Sequence, residues 1–387
     1  MKRKPKVFLR LSKKSHPLYE ELWKYPPKEI KYVFRKDLEH YSKNKVPLAR
    51  KVRNFIWTLF LKIGVPIVPF FREDCDLIHS TNSISLISNK PWVLDAEVEH
   101  GMVGLSHWKE KSPIYRFIVR AILKQKNCKK IMLFSDHARE SFLRSFGEEF
   151  RNKVETVHAA QHINKSKKRI KKRREVTLIF MARKFEEKGG YEVLEVFNKL
   201  KKENKCKLIM VSNFPGKIKK ACLDDEDILL VKGNLQKDEL SVYLQKADIF
   251  IYPSRTEANY GTVLLDAMAN KLPVVANNFY ATPEVIQDGK NGFLVNPLIK
   301  LYDFNGRYLQ KNDQDYLLKY KKIYQGDNLR RERYLNEIYD KTLKLIKDPK
   351  LRRKMGERGF KLVSKGKFSI GERNKKLVRI YREALKS

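Results

Sequence analysis

The chain of 387 residues is too long for a typical single domain and long enough for two. A hydrophobic share of 42% can fill real cores, and 17 glycines and 15 prolines exclude fibrous and low-complexity classes. The 83 Lys and Arg residues against 45 Asp and Glu residues give a net charge of +38. Such an excess indicates attraction to nucleic acid, anionic membrane or phosphorylated substrates.

The cysteines and the apolar runs bear on the compartment. Because none of the four cysteines lies in a C-x-x-C pair, we expect reduced thiols in a cytoplasmic protein. The apolar run at residues 7–11 is broken by Arg10 and is too short for a secretory leader. The longest apolar stretch, residues 55–71, contains a lysine, a glycine and two prolines, which exclude a membrane-spanning helix.

In chain order, the first half predicts strands at residues 6–11, 76–80, 92–97 and 130–135, with no clear element in the basic, aromatic stretch 13–73. Residues 164–174 contain eight Lys or Arg among eleven positions and mark a domain boundary, either a solvated linker or a polyanion-binding patch. Strands follow at 176–182, 206–212, 228–232, 247–254 and 273–276. Between them, residues 191–202 place Leu194, Phe197 and Leu200 on one helical face. This alternation predicts an α/β fold with parallel sheets covered on both faces.

The first candidate loop follows the strand at 176–182 and opens a helix. Arg183 and Lys188 lie in it, before Gly189 and Gly190. A departing diphosphate needs fixed positive charge, which these two side chains would supply together with amides at the helix N-terminus. The alternative is an ordinary charged loop with a Gly-Gly turn.

The second candidate region spans residues 253–268, where a strand ends in a loop and a helix begins near Thr262. Gly261 permits close backbone approach to a phosphate. Asp266, one turn into the helix, suits ribose hydroxyls, although an acidic residue there also favours the helix dipole. Glu257 would contact the donor sugar; the alternative is a surface ion pair with Arg255. We also assign Asn259 and Tyr260 to donor binding.

The third block begins with Thr282 as a helix cap and Pro283 at the first helical position. Asn291 and Gly292 then turn into a strand at 293–295. We interpret this block as mainly structural, with Glu284 as a secondary donor-binding candidate.

These blocks, in this order, resemble the donor domain of retaining glycosyltransferases of family 4, in the GT-B class, to which phosphatidylinositol mannosyltransferases and sucrose synthases are related. The family pattern is roughly G-R-x4-K-G, then P-S-x-x-E-G-F-G-x4-E-A-M-A-x-G-x-P-V-V, then P-E-x3-D-G-x-N-G-x-L-V-x-P. The chain keeps the interval from Arg183 to Lys188 and the segments Asp266-Ala267-Met268-Ala269, Pro273-Val274-Val275, Pro283-Glu284, Asp288-Gly289, Asn291-Gly292 and Leu294-Val295. The tail also fits, with Met355-Gly356 and a final helix at 368–385. The resemblance is specific over 175–297 and 345–385.

The resemblance implies two Rossmann-like domains facing across a cleft. Residues 1–165 would form the acceptor-side domain and 175–348 the nucleotide-sugar donor domain, with an insertion near 299–338. Residues 349–387 would form helices packing back toward the first domain. The implied reaction is hexosyl transfer from a nucleotide-diphosphate sugar with retention, without a protein nucleophile, a metal or another cofactor. Arg183 and Lys188 would hold the diphosphate and Asp266 the ribose.

Departures from the family pattern raise specific questions. The family separates its two glutamates by seven residues, whereas eight residues separate Glu257 from Asp266, and alignment on Gly261 puts Ala258 at the first glutamate. Either the loop holds one extra residue or Glu257 has lost that role. Lys271 replaces a family glycine, and the Tyr- and Lys-rich insertion has no assigned role.

In the first domain, relatives often carry P-x-V-x-T-x-H, and residues 91–97 have that shape with Glu97 at the histidine position. We therefore predict that Glu97, together with Glu99 and His100, lies beside the sugar; an ordinary loop histidine is the alternative for His100. Residues 74–76 read D-x-D, a metal signature of the other large glycosyltransferase class. Because this D-x-D precedes a predicted strand and no ligand cluster accompanies it, we predict no metal site.

The expected partners are a nucleotide sugar and a glycan or lipid-linked acceptor. Residues 48–71 mix basic and aromatic residues in a manner that suits a lipid headgroup boundary, so we predict peripheral binding to the inner face of the cell membrane. A core helix and loop with a solvated basic edge is the alternative. Two other functions stay open: a basic nucleic-acid- or polyanion-binding protein, although no known reading motif is present, and a non-catalytic relative with a displaced Glu257.

Overall fold

The computed structural model of the protein describes residues 3–10, 17–34, 74–81, 89–98, 113–163, 175–222, 224–257, 259–300, 309 and 313–386. The chain divides into two compact units. Unit 1 comprises Met1–Ala159 and Gly371–Ser387, and unit 2 comprises Ala160–Ile370.

Unit 1 contains a parallel sheet. Its strands are β1 (Lys6–Arg10), β2 (Lys31–Val33), β3 (Leu77–Thr81), β4 (Trp92–Ala96), β5 (Cys128–Leu133) and β6 (Val154–Thr156). They pair in the order β2-β1-β3-β4-β5-β6, with every pair parallel. Every residue of β3 and β4 is buried, as expected for strands covered on both faces.

The helices of the first half of unit 1 are α1 (Pro17–Lys24), α2 (Pro113–Lys124) and α3 (Asp136–Phe146). The Ser135 side chain caps α3 by accepting a hydrogen bond from Ala138 N at 3.0 Å. Gly147 ends α3 with φ 121°, a conformation that favours glycine. A short 3₁₀ turn at Glu148–Phe150 then leads to β6.

Unit 2 contains a second parallel sheet. Its strands are β7 (Val176–Lys184), β8 (Cys206–Asn213), β9 (Ile228–Lys232), β10 (Ile249–Tyr252), β11 (Val274–Asn277) and β12 (Gly292–Val295). They pair in the order β12-β11-β10-β7-β8-β9, and every pair is parallel. The Val-, Ile- and Leu-rich sequences of the central strands are those of a sheet buried on both faces.

The helices of unit 2 are α4 (Gly190–Leu200), α5 (Gly216–Ala221), α6 (Lys237–Lys246), α7 (Val263–Ala269), α8 (Thr282–Val285), α9 (Asp313–Gly326), α10 (Asn328–Lys347) and α11 (Pro349–Ser364). Helix α10 packs on α4, and α11 packs on α7. Aspartates cap both long helices: Asp327 accepts from Arg330 N at 3.0 Å, and Asp348 accepts from Leu351 N at 2.9 Å.

The last helix, α12 (Ile370–Lys386), belongs to unit 1 from Gly371 onward. Its apolar face joins the unit 1 core through Leu377, Ile380, Tyr381 and Ala384. The Tyr381 hydroxyl lies 2.6 Å from His79 Nδ1, and His79 Nε2 lies 3.0 Å from Asp95 Oδ2. These buried polar contacts join α12 to β3 and β4, so the final helix returns to the first domain as expected. The expectation that residues 349–364 also pack on the first domain was wrong, because α11 belongs to unit 2 and packs on α7.

Most predicted strands differ from the observed ones by no more than two residues at an end. Strands β2 and β6 were not predicted. The predicted start of α8 was also wrong: the helix begins at Thr282 itself, Ala281 is the cap residue, and no side chain makes a capping hydrogen bond there.

Candidate active site

Two loops meet at the carboxyl edge of the unit 2 sheet. β7 lies between β10 and β8, so the chain proceeds from β7 toward β8 and β9 and then returns to the other side at β10. Such a reversal of strand order creates a crevice outside the carboxyl ends of the strands, where α/β proteins bind ligands. The loops that follow β7 and β10 therefore form the candidate active site.

The two loops are in direct contact. Gly189, which caps α4, has φ +85°, and an added Cβ would lie only 2.4 Å from the carbonyl oxygen of Pro253. Both features require glycine. In addition, Arg255 N donates a hydrogen bond to the carbonyl oxygen of Glu187 at 3.1 Å. The Gly-Gly turn that the sequence suggested is therefore needed to bring the second loop against the first.

Glu257 connects the two loops through its side chain. Its Oε1 accepts hydrogen bonds from Lys188 Nζ at 2.8 Å, Tyr252 OH at 2.5 Å and Ser254 Oγ at 3.0 Å. Lys188 and Glu257 are mostly buried, with side chains 19% and 13% exposed. Burial raises the pKa of Tyr252, and the charge of Glu257 raises it further, so the phenol stays protonated and donates. The carboxylate is thus held in one place by three donors.

Lys188 and Arg183 differ in how their charges are compensated. Lys188 Nζ donates to Glu257 and to the carbonyl oxygen of Thr256, which uses two of its three N–H groups and leaves one for a ligand oxygen. Arg183, near the end of β7, is exposed, and no acidic group pairs with it in the part of the chain that the structure describes. The positive charge of Lys188 is therefore largely cancelled by Glu257, while that of Arg183 is not.

The rest of the β10 loop packs tightly. A Cβ added at Gly261 would lie 3.1 Å from Tyr252 Cε1 and 3.2 Å from Glu257 Oε1, so glycine allows the backbone to approach the carboxylate. Asn259 and Tyr260 are only 2% and 3% exposed. The Tyr260 ring packs against the ring of Phe368, at a centroid distance of 5.7 Å. The side chains of Asn259 and Tyr260 thus hold the loop, and a donor would meet its backbone.

The remaining donor-binding candidates lie at the start of α7 and on α8. Thr262 immediately precedes α7, and Asp266 is half-buried in its first turn. Glu284 is half-buried on α8. The turn that follows α8 is structural. Asn291 Nδ2 donates to the Val285 carbonyl oxygen at 2.9 Å, and a Cβ added at Gly292 would lie 2.3 Å from the Val274 carbonyl oxygen.

Arg255 does not pair with Glu257, which corrects the alternative interpretation of Glu257. Arg255 is only 3% exposed, and its Nε and Nη2 donate to both carboxylate oxygens of Glu192 on α4, at 2.8 and 2.9 Å. This buried ion pair was not predicted. A glutamate among the apolar residues of α4 was the available sequence signal, since a charge there needs a partner.

Of the predicted unit 1 residues, Glu97 follows β4 and is half-buried, while Glu99 and His100 lie outside the described residues. The D-x-D aspartates precede β3, at the amino edge of the sheet, opposite the edge where such sheets bind ligands. Asp74 pairs with the Lys6 side chain, and Asp76 accepts from Lys6 N at 2.7 Å and lies 3.6 Å from Arg3. The Lys6 ammonium lowers the pKa of Asp74. Both carboxylates therefore already have partners in Lys6 of β1 and the nearby Arg3.

With this geometry in view, residues 161–300, which contain both loops and the third block, match the sequence family of glycosyl transferases group 1. This part of the chain is therefore a group 1 glycosyltransferase domain. The chain is 28% identical over 280 residues to an uncharacterized 41.2 kDa protein in the cps region of Klebsiella pneumoniae, covering 67% of this chain and 75% of that one. It is 32% identical over 127 residues to the amylovoran biosynthesis glycosyltransferase AmsK of Erwinia amylovora, covering 30% and 31% of the two chains.

The fold of the enzyme is similar to that of Anabaena HepE in a complex with UDP and glucose. The TM-score is 0.61 at 12% identity, with 98% of this chain and 100% of that chain covered. The likeness confirms the predicted fold class, two parallel Rossmann-like sheets of the GT-B class. No helix among the described residues is long and apolar enough to cross a membrane.

Proposed function

We propose that this group 1 glycosyltransferase transfers a hexose from a nucleotide-diphosphate donor to a glycan acceptor, with retention of the anomeric configuration. The observation that carries the proposal is the pair of loops at the unit 2 switch point, where Lys188, Glu257 and an uncompensated Arg183 lie on adjoining segments. The similarity to a protein in a complex with UDP and glucose supports a nucleotide sugar as donor. The relative named for amylovoran biosynthesis supports a glycan as acceptor.

Each residue has a definite task in this proposal. Arg183 and the third N–H of Lys188 hold the departing diphosphate, whose negative charge grows as the sugar bond breaks. Asp266 accepts hydrogen bonds from the ribose hydroxyls. Glu257 contacts the donor sugar, and its carboxylate position beside Lys188 and Gly261 supports this role.

A panel of UDP-glucose, UDP-galactose, UDP-N-acetylglucosamine and GDP-mannose tests the proposal, scored by thermal shift and by nucleotide release. We expect one donor to stabilise the fold selectively, because binding to the native state raises its stability by mass action. The double variant Arg183→Ala/Lys188→Ala should lose this effect. If instead no donor binds while binding to single-stranded DNA is tight and survives the double variant, the basic polyanion-binding function is correct. Donor binding without turnover would indicate a non-catalytic relative.

The proposed transfer needs no metal ion, since fixed Arg and Lys charge takes the place of a cation at the diphosphate. The ion pairs of Asp74 and Asp76 with Lys6 and Arg3 support this part of the proposal. Turnover should be unchanged in excess EDTA. Loss of turnover in EDTA that Mg²⁺ or Mn²⁺ restores would contradict it.

We further propose that the enzyme works in the cytoplasm, docked on an anionic membrane that presents a lipid-linked acceptor. Its four cysteines are free and buried, which suits a reducing compartment. The stretch 48–71 lies outside the described residues, but α2 offers a second surface. Ile114 and Phe117 are each 74% exposed, and Arg120 and Lys124, which share Glu149 as an acidic partner, follow on the same helix. Exposed apolar side chains beside basic ones suit a lipid headgroup boundary.

Co-sedimentation with vesicles of phosphatidylglycerol and phosphatidylcholine tests the docking. The variant Ile114→Gln/Phe117→Gln should bind these vesicles at least tenfold more weakly than wild type. A matched control is Leu318→Gln/Leu329→Gln, which changes two leucines that are 67% and 82% exposed in unit 2. Wild-type protein that stays in the supernatant at low salt would refute the docking and favour a soluble acceptor.

A further inference from the structure

The insertion near residues 299–338, to which the family pattern assigns no role, is in contact with Arg255 of the candidate active site. Helix α9 carries Tyr316, Tyr320 and Tyr324 at intervals of four residues, which places them on one helical face. Arg255 Cζ lies 4.1 Å from the ring centroid of Tyr320 and 5.5 Å from that of Tyr324. The guanidinium that binds Glu192 is therefore also packed against aromatic rings.

Two of these tyrosines also donate hydrogen bonds to glutamates of α4. Tyr320 OH donates to Glu192 Oε1 at 2.5 Å, and Tyr324 OH donates to Glu195 Oε1 at 2.6 Å. Glu192 is completely buried, so its carboxylate depends on these protein partners. Arg255, Glu192 and Tyr320 form one closed unit, which we call the tyrosine-arginine clamp.

A second contact holds the residue next to Arg255. Tyr334 OH, on α10, donates to Asn277 Oδ1 at 3.0 Å, and Asn277 Nδ2 donates to the Ser254 carbonyl oxygen at 3.0 Å. Ser254 Oγ in turn donates to Glu257 Oε1. A continuous series of hydrogen bonds thus runs from the helices after residue 300 to the Glu257 carboxylate.

Stability alone is a weak reason to keep such an arrangement. Replacing a buried ion pair by apolar residues of similar volume is often neutral or even stabilising, because burying two charges costs as much as their attraction returns. A bidentate Arg–Glu pair does, however, fix direction as well as distance. Such precision is useful in a loop whose next residues must meet a substrate, since a misplacement of about 1 Å costs roughly 10²-fold in rate.

We propose that Arg255 is a positioning residue for the donor-sugar loop and that Tyr320 of the insertion holds it in place. The clamp fixes Ser254 to Glu257 relative to Lys188, so that the carboxylate and the loop backbone meet the sugar in the reactive geometry. This inference rests on the proposed transfer function, and it gives the insertion helix a task within that reaction.

The test removes the clamp without leaving a buried charge unpaired. The variant Arg255→Met/Glu192→Leu is compared with Arg331→Met/Glu195→Leu, which removes a neighbouring but more exposed ion pair. Arg331 pairs with Glu195, their side chains are 29% and 34% exposed, and Arg331 Cζ lies 4.9 Å from the ring centroid of Tyr324. Both variants are assayed by circular dichroism, thermal unfolding, UDP affinity and turnover of the best donor in the panel above. Tyr320→Phe, which keeps the ring but loses the bond to Glu192, is the conservative third variant.

We expect the clamp variant to fold and to bind UDP within threefold of wild type, while kcat falls at least tenfold. Tyr320→Phe should show a smaller decrease in kcat, and the Arg331 variant should show none. A clamp variant with wild-type kcat overturns the positioning role, as does one whose lost activity only follows its lost folded fraction. If the clamp variant does not fold, Tyr320→Phe decides: an unchanged kcat overturns the proposal. Wild-type enzyme that turns over no donor removes the transfer function, and this inference with it.

Discussion

Among the charged residues at the end of β7 and in the loop after it, Arg183 is distinguished by the absence of an acidic partner in the described chain. Lys184 pairs with Glu187 at 2.6 Å, and Lys188 pairs with Glu257 at 2.8 Å. Arg183 therefore offers an uncompensated positive charge at the carboxyl edge of this sheet. Its charge acts where negative charge develops, and little of the fold depends on it, because the side chain is exposed.

Replacing Arg183 by Ala should lower turnover by about 10²–10³-fold, the usual loss when one group that stabilises developing charge is removed. The free energy of unfolding should change by less than about 0.5 kcal/mol, as for other exposed positions. Steady-state kinetics and urea unfolding measure the two effects. The neighbouring exposed variant Lys184→Ala serves as control and should keep near wild-type turnover. A decrease of less than fivefold in folded Arg183→Ala would show that the assignment is wrong.

At the scale of single residues, the sequence predicted site residues correctly where a residue follows closely after a recognisable strand. Lys188 and Glu257 were expected at the site because each follows a predicted strand, and the structure brings them together. Arg255 was misjudged because its partner, Glu192, lies 63 positions away in the chain. A local pattern indicates that a buried charge needs a partner, but only the packing of α4 and α9 shows which residue it is.

Among the elements, the long apolar strands were predictable and the short edge strands were not. β2 and β6 each have three residues and lie at the two edges of the unit 1 sheet. Edge strands are covered by fewer neighbours, so they need fewer apolar residues and leave a weaker pattern. β9 also lies at a sheet edge, but four of its five residues are apolar, and it was predicted with its observed bounds.

The contact of α11 with the end of α7 includes a residue that departs from the family pattern. Lys271, where the family has glycine, has φ 58°, in the left-handed region that glycine enters most easily. Lys271 Nζ lies 2.8 Å from Glu357 on α11. An added Cβ at Gly356 would lie 2.0 Å from the Lys271 carbonyl oxygen. The conformation at Lys271 is thus the one expected for the family glycine, and Gly356 allows α11 to approach it.

Gly356→Ala should therefore destabilise the enzyme by about 1–3 kcal/mol, the usual cost of forcing an extra carbon into a packed contact. Gly326→Ala is the matched control, because Gly326 ends α9 with nothing within 4 Å of an added Cβ. The control should be neutral or slightly stabilising, since alanine favours helix over glycine. Thermal unfolding of both variants measures the difference. Equal melting temperatures would contradict the close approach of α11 to Lys271.

For the molecule as a whole, alkaline pH has two opposing effects on the stability of the fold. Deprotonation of lysines relieves the repulsion that accompanies a net charge of +38, which favours the compact state. The deprotonation of buried cysteine thiols and tyrosine phenols, by contrast, favours the unfolded state. Burial raises the pKa of Cys128 to about 12, and burial together with Asp227 raises that of Cys206 to about 11. Burial also raises the pKa of the tyrosines on the clamp face of α9.

We expect the buried acids to dominate, so that the free energy of unfolding decreases above about pH 9. The native state keeps protons that the unfolded state has released, so stability falls with pH, by up to about 1.4 kcal/mol per pH unit for each group. The thiols contribute from their usual value of 9.0 up to about 11–12, and the tyrosines contribute from 10.0 upward. Urea unfolding at pH 8.0, 9.5 and 10.5 measures the trend, and Cys128→Ala, which removes one buried thiol, should flatten it. A stability that is constant or rising over this range would mean that relief of charge repulsion is the larger effect.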